Sequence, residues 1–170
     1  MAMDEGLVLA RLVFGLLMAA HGAQKLFGWF GGHGLAGTAG FLEMLGFRPG
    51  RVFATTAALT ELASGLLVAL GLLGPVGPAL MLSVMIVAAV SVHLKNGLFS
   101  MSNGIELPLL YGAAAAALAL TGPGRYSLDV LLGLESLWTP AVVWTALALG
   151  IVGGVANLAI RRPAHTVAAA

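Results

Sequence analysis

The stretch TELASGLLVALGLLGPVGPALMLSVMIVAAVSVHLK, Thr60 to Lys95, decides the fold. Between Glu61 and Lys95 it carries no charged side chain, and its apolar residues are interrupted by one tight-turn signal, Gly74-Pro75. A segment of this kind has no polar face for water. It reads as two membrane-spanning helices, Val52 to Leu73 and Val76 to Leu94, joined as a hairpin.

The rest of the 170 residues repeats the pattern. Further apolar runs cover Leu7 to Phe27, Ile105 to Thr121 and Thr139 to Ile160. The fourth run is the shortest and needs a few flanking residues to cross a core of about 30 Å. Composition agrees: 59% of residues are apolar, 9% are charged, and the mean hydropathy is +1.00. A soluble domain carries about 25% charged residues. The expected fold is therefore all-α and polytopic: a four-helix transmembrane bundle plus a fifth C-terminal transmembrane helix. The expected organisation is a membrane domain over residues 1–136, the additional helix over 137–162 and a disordered tail over 163–170.

Basic residues set the expected orientation. With the N-terminus outside and five crossings, Lys25, Arg48, Arg51, Lys95, Arg161 and Arg162 fall on the cytoplasmic side, with Arg11 and Arg125 towards the other. The expected location is a bacterial cytoplasmic membrane. The acidic start MAMDEG has no basic n-region and no small-residue cleavage site, so the first run reads as a retained span.

Composition also excludes chemistries. A net charge of +1 without basic clusters argues against a nucleic-acid partner. The absence of cysteine removes disulfides, thiolate ligands and thiol exchange. No phosphate loop, zinc motif or Glu-x-x-His pair is present, and no bound metal or flavin is expected.

Two connections look ordered. In Gly37 to Gly46, GTAGFLEMLG, Thr38 reads as the cap of a short amphipathic helix that Gly46 ends. In TGPGRYSLDVLLG, Thr121 to Gly133, Ser127 reads as an N-cap, Asp129 suits the positive end of the helix dipole and Gly133 is the stop. VFGLLMAAHGAQKLFG and MIVAAVSVHLKNGLFS also echo one another, each ending an apolar helix with His, Lys and Leu-Phe.

Ionisable groups within a bilayer cost about 2.5–3.5 kcal/mol at mid-depth on insertion scales, so each needs a reason. His21, Gln24 and Lys25 share one face of the first helix. Glu61 lies ten positions past Arg51, about 15 Å deep, with Ala57, Ala58, Ser64 and Gly65 on its face. Small residues let helices approach closely, so this face turns inward. Glu61 reads as a proton-accepting or ligand-orienting carboxyl, or as half of a structural ion pair with His21 or His93. His93 ends the third helix. Lys25 and Lys95 read as snorkelling anchors unless a site recruits them. Glu106, three positions after Asn103, reads as part of a capping box, a role compatible with a site.

The segments HGAQKLFGWFGGHGL (His21 to Leu35), TELASGLLVALGLLGP, the helix ending in His93, and NGIELPLLYGAAAAALALTGPGRYSLD (Asn103 to Asp129) resemble the DoxX family in order and spacing. The resemblance runs from about Leu7 to Gly133 and leaves the fifth span outside. It implies a four-helix membrane bundle. The family takes its name from a membrane subunit of a thiosulfate:quinone oxidoreductase, and other members are described as membrane partners of cytosolic superoxide dismutase and sulfurtransferase-like enzymes. His21, Gln24, Lys25, Glu61, His93 and Glu106 occupy the family's polar positions, and Arg125, Ser127 and Asp129 its closing motif.

The functional expectation is a membrane subunit of a redox system that answers oxidative stress and holds a quinone in a polar pocket. His21 and Glu61 would exchange protons with it, and Gln24, Lys25, His93 and Glu106 would bind it. Partners would be membrane lipid, the quinone-like molecule and cytosolic redox enzymes carrying the electron cofactor, with self-association left open. The alternatives are a non-catalytic membrane scaffold for such enzymes, or a small proton-coupled transporter.

Overall fold

The computed structural model describes residues 2–162; the tail expected at 163–170 lies outside them. Among the described residues there are helices and turns and no strand. The helices are α1 (Ala2–Phe27), α2 (Gly34–Met44), α3 (Gly50–Leu70), α4 (Val76–Ala88), α5 (Glu106–Thr121), the one-turn α6 (Leu128–Leu131) and α7 (Pro140–Ala159). A π turn at Ala89–His93 and a 3-10 turn at Leu94–Asn96 prolong α4, so its rod runs from Val76 to Asn96.

Four helices are long and apolar enough to cross a bilayer: Met3–Phe27, Gly50–Leu70, Val76–Asn96 and Pro140–Ala159. The chain is a polytopic helical membrane protein. The remaining long apolar helix, α5, has 16 residues and rises about 24 Å. Its ends show that it still runs the length of the bundle. Glu106 takes up the chain just beyond the end of the α4 rod, where Ile105 N–H donates to the Gly97 carbonyl (3.0 Å). The carbonyls of Pro123 and Tyr126, just past its other end, accept from the guanidinium of Arg11 on the first turns of α1. Five helices therefore traverse the bundle in alternating directions. At one end lie Arg11, the Gly71–Gly74 turn, α6 and Trp138. At the other lie Lys25, α2, Arg48, Lys95 and Arg162, whose N–H donates to the Gly46 carbonyl (2.8 Å).

Helix contacts rest on small residues. A Cβ at Gly65 would come within 2.3 Å of Ala19 N, and one at Gly22 within 2.5 Å of Leu62 N. In lipid the apolar tails compete equally for leucine surface, so close backbone approach replaces the hydrophobic effect as the source of association. α7 uses the same device against α4. A Cβ at Gly150 would sit 2.5 Å from the Ala79 carbonyl oxygen, and one at Gly154 2.9 Å from that of Ser83. Large residues fill the space between the close crossings: Met18, Val68, Met81, Tyr111 and Leu118 form the buried cluster. Leucines and valines on the outer faces of α1, α5 and α7 are exposed, as a lipid-facing surface requires.

Two cap readings need correction. α2 begins at Gly34, four residues before Thr38, whose hydroxyl donates to the Gly34 carbonyl inside the helix (2.8 Å). The sequence of its first turn, GLAG, carries no capping side chain to announce it. Its useful polar group is Glu43, whose carboxylate accepts from Gly50 N–H (2.9 Å) at the start of α3. Asn103 does not cap α5 either. It sits in the left-handed region (φ 61°), and Glu106 reaches back to Ser100 N–H (2.7 Å). The side chain still satisfies a loose backbone donor, though a different one from that of a capping box. Ser127, in contrast, caps α6 as its sequence suggests, accepting from Val130 N–H (3.3 Å).

Candidate functional site

The contact that closes α1 on α3 also builds the polar site. Gly22 lies against Ala58 and Leu62, and Gly65 against Gly15 and Ala19. Lys25 follows Gly22 by one turn on the same face of α1, and Glu61 precedes Gly65 by one turn on the facing side of α3. With the backbones this close, the Lys25 ammonium reaches the Glu61 carboxylate and forms an ion pair and a hydrogen bond with Oε2. Glu61 is 4% exposed. Its partner is thus the lysine, and neither His21 nor His93 takes that place. Lys25 does not simply snorkel to headgroups; it is drawn into the bundle by the deeper carboxylate, with about a third (32%) of its side chain still open.

One turn back on α1, His21 Nδ1 lies 3.1 Å from Gln24 Oε1. A ring N–H that donates there leaves Nε2 of the neutral imidazole as an acceptor. The imidazole stands edge-on to the buried Tyr111, with ring centroids 6.1 Å apart. Gln24 Nε2 donates to the Phe30 carbonyl (3.1 Å), fixing the loop that follows α1. That loop, WFGGHG, folds back on the helix so tightly that a Cβ at Gly32 would meet the Gln24 backbone at 2.4 Å. Between loop, α1 and α2 lies an open pocket of about 320 Å³, lined among others by Gln24, Lys25, His33, Thr38 and Phe41. Ammonium, amide and imidazole thus meet an aromatic wall, a polar set suited to carbonyl oxygens or anions.

The other two expected site residues have different neighbours. The π turn at the end of α4 places His93 Nδ1 2.8 Å from the Asn103 carbonyl, which also accepts from Asn96 Nδ2 (3.2 Å). Glu106 takes the Ser100 N–H of the same connection. The structure pairs His21 with Gln24 and Lys25 with Glu61, sets Gln24 and Lys25 on one pocket, and engages His93 and Glu106 in organising the α4–α5 loop.

A second polar constellation, at the opposite end, escaped the sequence reading. Asp129 is fully buried and accepts from Leu73 N–H (2.8 Å), Gly74 N–H (2.6 Å) and Trp138 Nε1–H (2.8 Å). Asp129 lies in the first turn of α6 as expected, and its carboxylate also clamps the α3–α4 turn. Three donors offset the desolvation of the carboxylate. Arg11, 5% exposed, packs where a Cβ of Gly71 would stand and ties α1 to the segment after α5. The available signal was an arginine inside the first apolar run, near its start, since such a charge must face protein and find acceptors.

Among the described residues no group of three His, Cys, Asp or Glu side chains gathers closely enough to hold a metal ion. The DoxX family model matches residues 6–94, from the second turn of α1 to the residue after the π turn. The NGIELP and GPGRYSLD segments and α7 lie beyond that match. No curated protein and no solved structure matches the chain.

Proposed function

The chain belongs to the DoxX family, and on that premise we propose that it is the membrane subunit of a quinone-linked redox system, holding the quinone head in the pocket between α1 and α2. The observation that carries this reading is the buried Lys25–Glu61 pair, whose ammonium lines that pocket beside Gln24.

Reducing a quinone to a quinol consumes two electrons and two protons. Lys25 is suited to the first protonation. Its ammonium, paired with Glu61, donates a hydrogen bond to a ring oxygen and passes a proton as negative charge develops there. The remaining carboxylate offsets the cost of re-forming the ammonium. His21, hydrogen-bonded to Gln24, is the titratable group next in line for the second proton. Phe41 supplies an apolar face for the ring. The electrons come from the redox cofactor of a partner docking at the same end of the bundle. His93 and Glu106 act as positioning residues through the α4–α5 connection.

Photolabelling with an azido-substituted short-chain quinone tests this. Label mapped to peptides covering residues 24–41, and displaced by excess unlabelled quinone, supports the pocket. Label confined to other helices, or insensitive to competition, overturns it.

A scaffold role has its own observation: Trp29, Phe30 and Met44 are exposed at the end that carries Arg48 and Arg51. If docking is the whole function, Arg48→Glu with Arg51→Glu abolishes partner recruitment while Lys25→Met leaves activity intact.

A further inference from the structure

A second cavity, of about 90 Å³, lies away from the Lys25–Glu61 pair, where α3, α4 and α7 meet beside the end of α2. Leu42, Phe47, Phe53, Ala57, Val84 and Val87 give it apolar walls, and Thr56, Thr60, Ser83 and Asn157 add polar groups. Thr56 and Thr60 lie one turn apart on α3, and Thr60 stands nine residues beyond Arg51, about 13 Å into the bundle.

These four polar side chains have no hydrogen-bond partner among the described residues. The contrast with their neighbours is informative. Thr55 donates to the Arg51 carbonyl (2.8 Å), Thr121 to that of Ala117 (2.8 Å) and Ser64 to that of Glu61 (3.1 Å). Serine and threonine in membrane helices ordinarily satisfy themselves in this way. Thr56, which is exposed, and Thr60, Ser83 and Asn157, which are half-buried, instead line the cavity with polar groups. Polar groups at membrane depth without partners cost free energy. Their convergence on one space calls for an occupant that returns hydrogen bonds.

The occupant's chemistry follows from the lining. No charged side chain lines the cavity, so an anionic or cationic head would find no countercharge. Hydroxyls both donate and accept, but the Asn157 carbonyl oxygen only accepts. A quinone or ketone, which offers only acceptors, leaves that oxygen unpaired; an alcohol satisfies it. The volume suits a small head rather than a sugar. We propose that this cavity binds the hydroxyl-bearing head of an uncharged lipid, and that α7, by contributing Asn157, makes the site.

Native mass spectrometry of the full-length protein, released from detergent in the presence of monooleoylglycerol, tests the proposal. Wild type takes up one monooleoylglycerol. Thr56→Val with Thr60→Val, nearly isosteric, and separately Asn157→Leu, each lower occupancy about fivefold, as loss of a net hydrogen bond predicts. Gln24→Leu leaves it unchanged. Oleic acid and oleoyl phosphatidylglycerol fail to compete. Competition by a long-chain isoprenoid alcohol assigns the site to the hydroxyl head whatever the chain; no such competition narrows it to the glycerol ester. If Asn157→Leu does not fold, the threonine pair carries the test. Absence of any adduct, leaving a cavity that holds water only, or equal occupancy in wild type and both variants, overturns the proposal.

Discussion

Lys25, at the end of α1, pairs with the carboxylate of Glu61, buried on the facing side of α3. The pair joins two helices whose backbones already touch, and it places one cation at the rim of a pocket and one anion behind it.

Glu61→Leu should strand the ammonium, and Lys25→Met should strand the carboxylate. Breaking a fully buried pair costs about 3–5 kcal/mol; Lys25 remains partly open, so about 2–3 kcal/mol is expected for Lys25→Met. The double variant Lys25→Met with Glu61→Leu should recover most of the loss. Thermal unfolding in nanodiscs reads all three. Additive losses in the double variant would show that the two groups are not coupled.

Gly65→Ala tests the helix contact beneath the pair. The added Cβ meets the Ala19 amide at 2.3 Å, and overpacking of this kind costs about 1–3 kcal/mol. The same change at Gly112, where only a leucine methyl lies within reach at 3.6 Å, should be nearly neutral. Similar melting temperatures for the two variants would contradict the close crossing.

At the other end, Asp129→Asn exchanges one of two acceptor oxygens for a donor: Oδ1 accepts from Leu73 N–H and Oδ2 from Gly74 N–H and Trp138 Nε1–H, so the new NH2 group faces at least one N–H group. A buried donor left unsatisfied costs about 1–3 kcal/mol. The melting temperature should fall, and the emission of Trp138, whose indole N–H bonds the altered group, should change. Trp138→Phe should remove that spectral response and cost less than Asp129→Asn, since it takes away a single bond.

Natural absence of cysteine makes topology simple to read. Under the proposed topology of five crossings with the Lys25 end in the cytoplasm, Ser100 and Glu135 lie on opposite faces. In whole cells a membrane-impermeant maleimide should label Glu135→Cys, and should label Ser100→Cys only after lysis. Labelling of both positions in intact cells would mean that α5 does not cross.

The sequence revealed the spans because hydropathy and length are properties of each run alone. Val76 to Leu94 was readable without knowing any neighbour. It also singled out Glu61, since a carboxylate ten residues inside an apolar helix stands out whatever it touches. Its partner was not legible. Lys25 reads as an anchor until Gly22 and Gly65 fix the register of α1 against α3, and that register is a property of two helices together. Asp129 was legible as a helix-dipole residue only. Its real donors, Leu73, Gly74 and Trp138, come from two connections whose juxtaposition local spacing does not encode. The four-walled cavity at Thr56, Thr60, Ser83 and Asn157 was hidden for the same reason, since three helices contribute to it.

On the proposed function, the Lys25–Glu61 pair serves a quinone as well as the fold. Equilibrium binding of a short-chain quinone to purified protein in nanodiscs, for wild type, Lys25→Met, Glu61→Gln and the double variant, addresses it most directly. The account predicts about a tenfold or greater loss for Lys25→Met, as expected for a charge-assisted hydrogen bond worth about 1.5–3 kcal/mol, a smaller loss for Glu61→Gln, and a double variant no weaker than Lys25→Met alone. Equal affinity in all four folded proteins would contradict it and leave the pair a structural link between two helices.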